Sequence, residues 1–517
     1  MKKLFEGSPV VISSSVDAPN EKSLKEQIID HTIKFSLGTT LRGVGQFINQ
    51  YSAAFLLGPA VFGIWQGVKL VLSYGSLTGL GSIAGMTREV PILRGRKEEN
   101  EIIKVKDVSF LFNFFTTIFL SIIVFAITFI FKFDSVTILS LRFVAFILLF
   151  QFSKSFLEAW LKANNKFDII SRMAVIEGAG AAAAVILIFF FSFPGFLAGF
   201  AMSLLLSAIY GYLKSGFTIQ VKWDLKLLKS LIKIGFPIML LGLSDVLFYT
   251  VDRLLILKFL DTKSLGFYSL GFLVFAPAMF IFSSSSSVMY PRFAERFGST
   301  RSDKDLKNLI IMPIKVLSLA AAFVIGAIAI AMPIMVRIFL PTYTQGIASA
   351  NILIFGLFFS YSAGMVANFF LATKRLYVYL ISSLAVVFIN FILSFMLLKS
   401  GWGIIGVSMG TSLSYFVLFL ILSSLAVHYC KMKGRESAMF FLEVLLPIVY
   451  VFIVSSLIIE FLSAHTYSSL VLMENMVLKE IVYLVFASIL VYFLFKNSEI
   501  KKYFFYNLKH LIKNEKI

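Results

Sequence analysis

Residues 33–85 read IKFSLGTTLRGVGQFINQYSAAFLLGPAVFGIWQGVKLVLSYGSLTGLGSIAG, two long apolar stretches divided by Gly58-Pro59. About 20 predominantly apolar residues cross the hydrocarbon core of a bilayer as a helix, and a Gly-Pro pair ends one helix and permits another to start. The stretch therefore predicts a membrane-spanning helical hairpin, 33–57 and 60–85. The same pattern continues along the chain at 108–131, 137–161, 169–191, 195–213, 234–257, 265–290, 312–339, 347–371, 377–398, 403–428, 441–463 and 479–495. The expectation is an all-α polytopic membrane protein of about 14 transmembrane helices.

Composition agrees. Of 517 residues, 58% are hydrophobic and 15% charged, whereas an ordinary soluble domain carries about 25% charged residues. The formal net charge of +19 would suggest a nucleic-acid partner if the cations formed one soluble patch. Instead they are dispersed between apolar runs. With the N-terminus cytoplasmic, 36 of the 47 Lys and Arg fall on cytoplasmic segments, six on outer segments and five (Arg42, Lys69, Arg142, Lys154 and Arg253) inside spans. Positive charge is retained on the cytoplasmic side, so the surplus reports topology, with both termini cytoplasmic and no nucleic acid implied. Residues 1–30 are interrupted by Glu6, Pro9 and Asp17 and do not read as a cleaved signal. The single cysteine, Cys430, and four scattered histidines (His31, His428, His465 and His510) provide no metal cluster. No cofactor motif is present. The outer loops are too short for a separate catalytic domain.

An internal repeat is legible. A shift of 203 residues brings Asn49 onto Asp252, Gly63-Ile64-Trp65 onto Gly266-Phe267-Tyr268, Met86 onto Met289 and Gly95 onto Gly298. A shift of 207 brings Gly199 and Met202 onto Gly406 and Met409. Equal topology in both copies makes this a parallel repeat of the kind found in transporters. The expected organisation is a cytoplasmic arm 1–32, a six-helix lobe 33–213, an amphipathic connector 214–233, a second six-helix lobe 234–430, two additional helices within 431–495 and a basic amphipathic tail 496–517. The lobes are expected to be related by a pseudo-two-fold axis. Basic amphipathic segments at 21–33, 220–233 and 499–516 are expected to lie on the membrane surface.

Several segments carry a family resemblance. Phe55-Leu-Leu-Gly-Pro-Ala-Val-Phe-Gly-Ile-Trp65, followed by Tyr74, Gly79, Gly81 and Arg88-Glu89-Val90-Pro91, resembles the polysaccharide flippases of the multidrug/oligosaccharidyl-lipid/polysaccharide exporter superfamily, the O-antigen flippase-like branch. Asp252-Arg253-Leu-Leu-Ile256 with Gly266-Phe-Tyr268, and Asn390 to Gly410 with Trp402-Gly403, extend the likeness into the second half. The resemblance implies movement of an oligosaccharide on a polyprenyl pyrophosphate carrier across the cytoplasmic membrane by alternating access. It also implies membrane lipids, and a polysaccharide polymerase with its chain-length machinery, as partners. The alternatives are a cation-coupled multidrug exporter of the same superfamily and, less in keeping with the short outer loops, a membrane glycosyltransferase or polymerase.

Intramembrane ionisable residues are functional candidates by default. Thr39, Arg42, Gln46 and Asn49 share one face of the first span, and Gln66, Lys69, Ser73 and Ser76 share one face of the second. Arg42 and Lys69 lie roughly 13 Å from the nearer ends of their helices at 1.5 Å per residue, deep enough to meet a pyrophosphate by charge-assisted hydrogen bonds. Arg42, Lys69, Asn49, Gln46, Gln66, Lys154 and Arg253 are the expected substrate ligands. Asp245, Asp252 and Glu177 are the expected ion-coupling carboxylates. The competing expectation is that these cations pair with Glu177, Asp245 or Asp252 and hold the bundle together. Arg142 reads as an interface anchor, Glu443 and Glu460 as packing residues, and Ser283 to Ser287 as a polar run in the eighth span.

Overall fold

A break occurs where Gly58-Pro59 places it. In the computed structural model, which describes residues 21–220, 223–278, 303–461 and 469–496, helix α1 runs Glu21–Gly75 but is interrupted at Gly58, whose φ of 73° and ψ of 173° lie outside the helical region. Glycine tolerates positive φ without a Cβ clash, and Pro59 restarts the helix without needing a backbone donor. Helix α5, Phe167–Ser215, is broken in the same way at Ser192, with φ 51° and ψ −129°, two residues before Pro194. Between them lie α2 (Ser82–Gly95), α3 (Glu99–Ile130) and α4 (Ser135–Ala163). Asp134 caps α4 by accepting from the backbone N–H of Thr137 at 2.9 Å.

The second half follows with α6 (Leu225–Phe259), α7 (262–278), α8 (Asp303–Phe339), a 3₁₀ turn Pro341–Gly346, α9 (Ile347–Ala372) and α10 (Leu376–Leu397). A wide turn at Leu398–Trp402, with Gly401 at φ 87°, leads to α11 (Gly403–Tyr429), α12 (Gly434–Phe461) and α13 (Ser469–Lys496). Every regular element among the described residues is helical. Nine helical stretches there are long and apolar enough to cross a membrane, three of them containing the breaks just described. Phenylalanine and aliphatic side chains face outward along them, as in Phe119, Ile130, Phe189 and Phe388, which suits a lipid solvent.

Several boundaries differ from expectation. The 60–85 stretch is two elements, because α1 ends at Gly75 and a turn at 76–81 redirects the chain into α2. Amphipathic residues 21–33 and 225–233 are the first turns of α1 and α6, continuous with the spans that follow. The last helix starts ten residues earlier than 479, at Ser469. Ser283–Ser287, Met289, Gly298, His465 and the 499–516 segment lie outside the described residues.

The duplication has a packing signature. A Cβ on Gly63 would stand 1.7 Å from the carbonyl oxygen of Thr262, and one on Gly266 would stand 2.0 Å from that of Pro59. Pro59 and Thr262 are related by the same 203-residue shift as Gly63 and Gly266, so the contact is reciprocal, as at a two-fold interface. Only glycine permits this approach. Beside it, Phe62 and Phe267 both pack edge-on against Tyr343, at 6.4 and 6.2 Å. Trp65 and its repeat partner Tyr268 are fully buried, and Trp65 meets Phe196 at 5.0 Å and Phe200 at 5.2 Å. A second close approach joins α2 to α6, where Gly235 faces the Gly81 carbonyl and Gly85. It lies at the end of the molecule carrying the basic loops, termed here the basic side.

Helices α12 and α13 pack on α8. Lys307 pairs with Glu436 at 2.7 Å and Lys315 with Glu443, while the Tyr483 hydroxyl donates to the Phe323 carbonyl at 2.8 Å. Glu443 thus holds α12 in place.

Candidate functional site

The first polar group is assembled by small residues. Helix α1 crosses α5 so tightly that a Cβ on Gly45 would stand 1.9 Å from the Gly178 carbonyl oxygen and one on Gly38 would stand 2.5 Å from Ser171 Oγ, the close packing typical of membrane helix pairs. The polar face of α1 is thereby pressed against α5 and α4. Arg42 Nη1 reaches Glu158 Oε1 at 2.9 Å and Glu177 Oε2 at 3.6 Å. Lys154 Nζ reaches Glu177 at 2.9 Å and Glu158 at 3.4 Å. Gln46 Nε2 donates to Glu177 Oε1 at 2.8 Å, and Asn49 donates to the Ala181 carbonyl at 2.9 Å. Two cations and two carboxylates make a neutral set. Glu177 is 2% exposed and Glu158 23%, so the network is inside the bundle, with Glu158 at its open edge. Glu158 was absent from the sequence-based candidates. Its signal was available as an i, i+4 partner of Lys154.

The second group lies where α1 meets α6. Gln66 Nε2 approaches Gln50 Oε1 at 3.4 Å, and the Tyr74 and Thr250 hydroxyls are 2.6 Å apart. Lys69, half-buried on this face, has no carboxylate partner among the described residues, and the charge that acts on it is another cation, Arg253. Arg253 is 5% exposed. Its guanidinium stands 4.6 Å from the Tyr249 ring and 5.1 Å from the Phe272 ring, and its Nε has no hydrogen-bond acceptor. Cation–π contacts moderate the charge without neutralising it. Lys69 comes from the first repeat and Arg253 from the second; the Asp252 carboxylate acts on Arg253, whereas Lys69 brings a further positive charge without a carboxylate of its own among the described residues.

The two expected ion-coupling carboxylates of α6, Asp252 and Asp245, differ in their surroundings. Asp252, fully buried, accepts from the Tyr268 hydroxyl and, at 2.9 Å, from the Arg253 backbone N–H. Tyr268 is also 3.3 Å from the Thr411 hydroxyl, which with Ser394 donates toward Asn390 Oδ1 at 3.5 and 3.0 Å. Asn390 Nδ2 in this group is left without an acceptor. Asp245 is exposed, with only the Tyr379 hydroxyl, at 3.3 Å, as a hydrogen-bond partner among the described residues. Arg142, the expected anchor, lies over the rings of Phe129 and Phe125 at 5.0 and 5.8 Å. No group of three or more His, Cys, Asp and Glu residues able to hold a metal occurs among the described residues.

The described helices form a duplicated, polytopic bundle of broken membrane-spanning helices with buried charged groups where its halves meet. Its fold is similar to that of a structure titled lipid II flippase MurJ in an inward closed conformation, with a TM-score of 0.70, 15% identity, and coverage of 89% of this chain and 98% of that one. A MATE structure in the bent conformation superimposes with a TM-score of 0.53 at 15% identity, over 80% of this chain and 97% of the other. The Vibrio cholerae MATE transporter VcmN in the bent form gives 0.51 at 15% identity, over 81% and 99%. No curated protein sequence matches the chain. Residues 54–345, more than half the chain, match the family described as polysaccharide biosynthesis protein, and the chain belongs to that family.

Proposed function

We propose that this protein is a flippase that carries a saccharide linked to a polyprenyl pyrophosphate across the cytoplasmic membrane, without chemical change to it, by alternating access. The observation that carries the proposal is that Lys69, inside the bundle, has no carboxylate partner among the described residues, while Arg253 of the other repeat adds positive charge to its surroundings. Two cations held together in a low-dielectric bundle repel each other, and a diphosphate relieves that repulsion with charge-assisted hydrogen bonds to both. Gln66, on the same helical face as Lys69 and in contact with Gln50, offers neutral donors and acceptors beside it.

Transport needs an interaction that differs between two states. Lys69 and Arg253 belong to different lobes, so rocking the lobes 33–213 and 234–430 against each other alters their separation and hence their joint hold on a diphosphate. The reciprocal glycine contact at Gly63 and Gly266 closes the outer side while the carrier loads from the cytoplasmic side, where both termini lie. The Arg42 set, already neutral, has a different part. It keeps α1, α4 and α5 rigid so that the first lobe turns as a body. Asp252 is the candidate for ion coupling, since its neighbours Tyr268, Thr411 and Asn390 supply further oxygen atoms. A polymerase and its chain-length machinery would receive the product outside.

A second reading, export of organic cations, is favoured by the exposed carboxylate of Asp245. Proteoliposomes separate the two. Movement of a fluorescent undecaprenyl-pyrophosphate saccharide from the inner to the outer leaflet, abolished by Lys69→Ala, supports flipping. Efflux of a fluorescent organic cation abolished by Asp245→Asn, with no lipid movement, would establish the alternative. A new glycosidic product would instead make the protein an enzyme.

A further inference from the structure

The polar stripe of Lys69 does not end at the cations. Four helical positions on, Ser73 leads to Ser76, about 10 Å further toward the basic side at 1.5 Å per residue. There the turn at 76–81 opens a cavity of about 60 Å³ between α1, α3 and α4. Six hydrogen-bonding side chains line it: Ser76, Thr78, Asn113, Thr117, Gln151 and Ser155. None is charged.

The cavity holds unspent polar atoms. Thr117 is 4% exposed and lines the cavity. Asn113 spends its amide N–H groups on Ser82 Oγ at 2.6 Å and the Ser109 carbonyl at 2.8 Å, which leaves Oδ1 to accept. Gly79 makes room for that oxygen, since a Cβ there would stand 1.6 Å from it. Gln151 makes only a long contact, 3.4 Å, to the Leu72 carbonyl. The face of Phe152 adds an apolar wall. Polar groups that line a cavity are satisfied by what fills it, so an occupant that both donates and accepts suits this lining. The absence of a carboxylate or cation in the lining disfavours a metal ion or a phosphate, and amides and hydroxyls beside an apolar wall of Ile83, Leu148 and Phe152 suit a neutral saccharide arm, which has both polar and apolar faces.

We propose that this cavity is a saccharide subsite, which receives a hydroxymethyl- or acetamido-sized arm of the sugar next to the pyrophosphate while the phosphates lie at Lys69 and Arg253. Its size fits one such arm or a few water molecules, not a whole ring. The subsite rests on the flippase function proposed above and adds selection of the sugar on the loading side. Gln151 and Ser155 share a face of α4 with Lys154 and Glu158, so the α4 wall of the subsite is tied to the charged network, while the turn at 76–81 supplies the opposite wall.

The test is binding of two lipid series to the purified full chain in nanodiscs, read by native mass spectrometry. One is undecaprenyl pyrophosphate alone, and the other is the same lipid bearing glucose, galactose or N-acetylglucosamine. Thr117→Val, which keeps the side-chain shape, and Gln151→Leu should each weaken binding of at least one sugar-bearing lipid about fivefold, the equivalent of one net hydrogen bond, and leave the bare pyrophosphate lipid within twofold. Unchanged thermal stability of Thr117→Val excludes misfolding as the cause. Equal losses on both series, or no loss on any sugar, would overturn the subsite and leave the cation pair untouched, with the cavity holding water only. Failure of the unmodified protein to bind either series removes the carrier function and the subsite with it.

Discussion

Replacing Glu177 by Gln tests whether the Arg42 set holds the first lobe together. The carboxylate is 2% exposed and meets three donors, Gln46 at 2.8 Å, Lys154 at 2.9 Å and Arg42 at 3.6 Å. An isosteric amide keeps the shape and removes one of the two negative charges, leaving both cations to share Glu158. Removing one partner of a buried ion pair costs about 3–5 kcal/mol, because a charge remains without compensation. Glu158 still shields the cations, which places the expected loss near the lower limit, about 3 kcal/mol, or roughly a hundredfold in the folding equilibrium. Lys154→Met in the same background restores neutrality and should recover about half of that loss. The assay is a double-mutant cycle on Glu177→Gln and Lys154→Met, with stability read from denaturant unfolding in detergent micelles. Distant, independent sites add to within about 0.5 kcal/mol. Additivity to that limit would refute the network, since two residues 2.9 Å apart in one charge set must couple.

Other perturbations address the remaining elements. Lys69→Ala and Arg253→Ala should each abolish rescue of a flippase-deficient strain at normal protein level, whereas Arg42→Ala should lower the membrane-inserted protein itself; immunoblotting beside complementation distinguishes them, and full rescue by both Lys69→Ala and Arg253→Ala contradicts the site. Gly63→Ala and Gly266→Ala should impair folding and transport to similar extents, because their contacts are reciprocal; folded yield by size-exclusion chromatography reads the effect, and wild-type yield for either shows that the interface is not as tight as 2 Å. Ser192→Gly should stabilise the protein by about 1 kcal/mol, the cost of holding an L-residue at a positive φ, as measured by the shift in thermal midpoint. If Asp252 couples an ion, Asp252→Asn should make translocation in proteoliposomes independent of an imposed sodium or proton gradient, and retained dependence excludes that residue.

How far the fold could be read from sequence depended on whether a signal was local. Gly58-Pro59 is local chemistry, and the break falls on it. Ser192 has no such signature in its own side chain; Pro194 marks the place, and surrounding packing holds the strained residue. The turn at 76–81 was missed for a physical reason. Its residues Leu77 and Leu80 are apolar and extend the hydrophobic run, whereas the turn is fixed by Gly79 against Asn113 and Gly81 against Gly235, contacts with distant helices. The 203-residue shift was visible as identities at Gly63 and Gly266, yet only the structure shows that the two glycines meet across the repeat.

The same distinction governs the charges. Spacing placed Arg42 and Lys69 at equal depth on similar polar faces, and on that basis they were equivalent. What separates them is 116 residues away from Arg42 in the chain: Glu158. Helical periodicity assigns a side chain to a face, but the partner on the opposing helix decides whether its charge is compensated. Arg42 faces two carboxylates, whereas Lys69 faces Arg253. An uncompensated cation in a low-dielectric bundle is unfavourable unless a ligand repays its desolvation. The cation without a compensating partner is therefore the stronger candidate for a substrate contact, and the compensated set is the one that holds α1, α4 and α5 together.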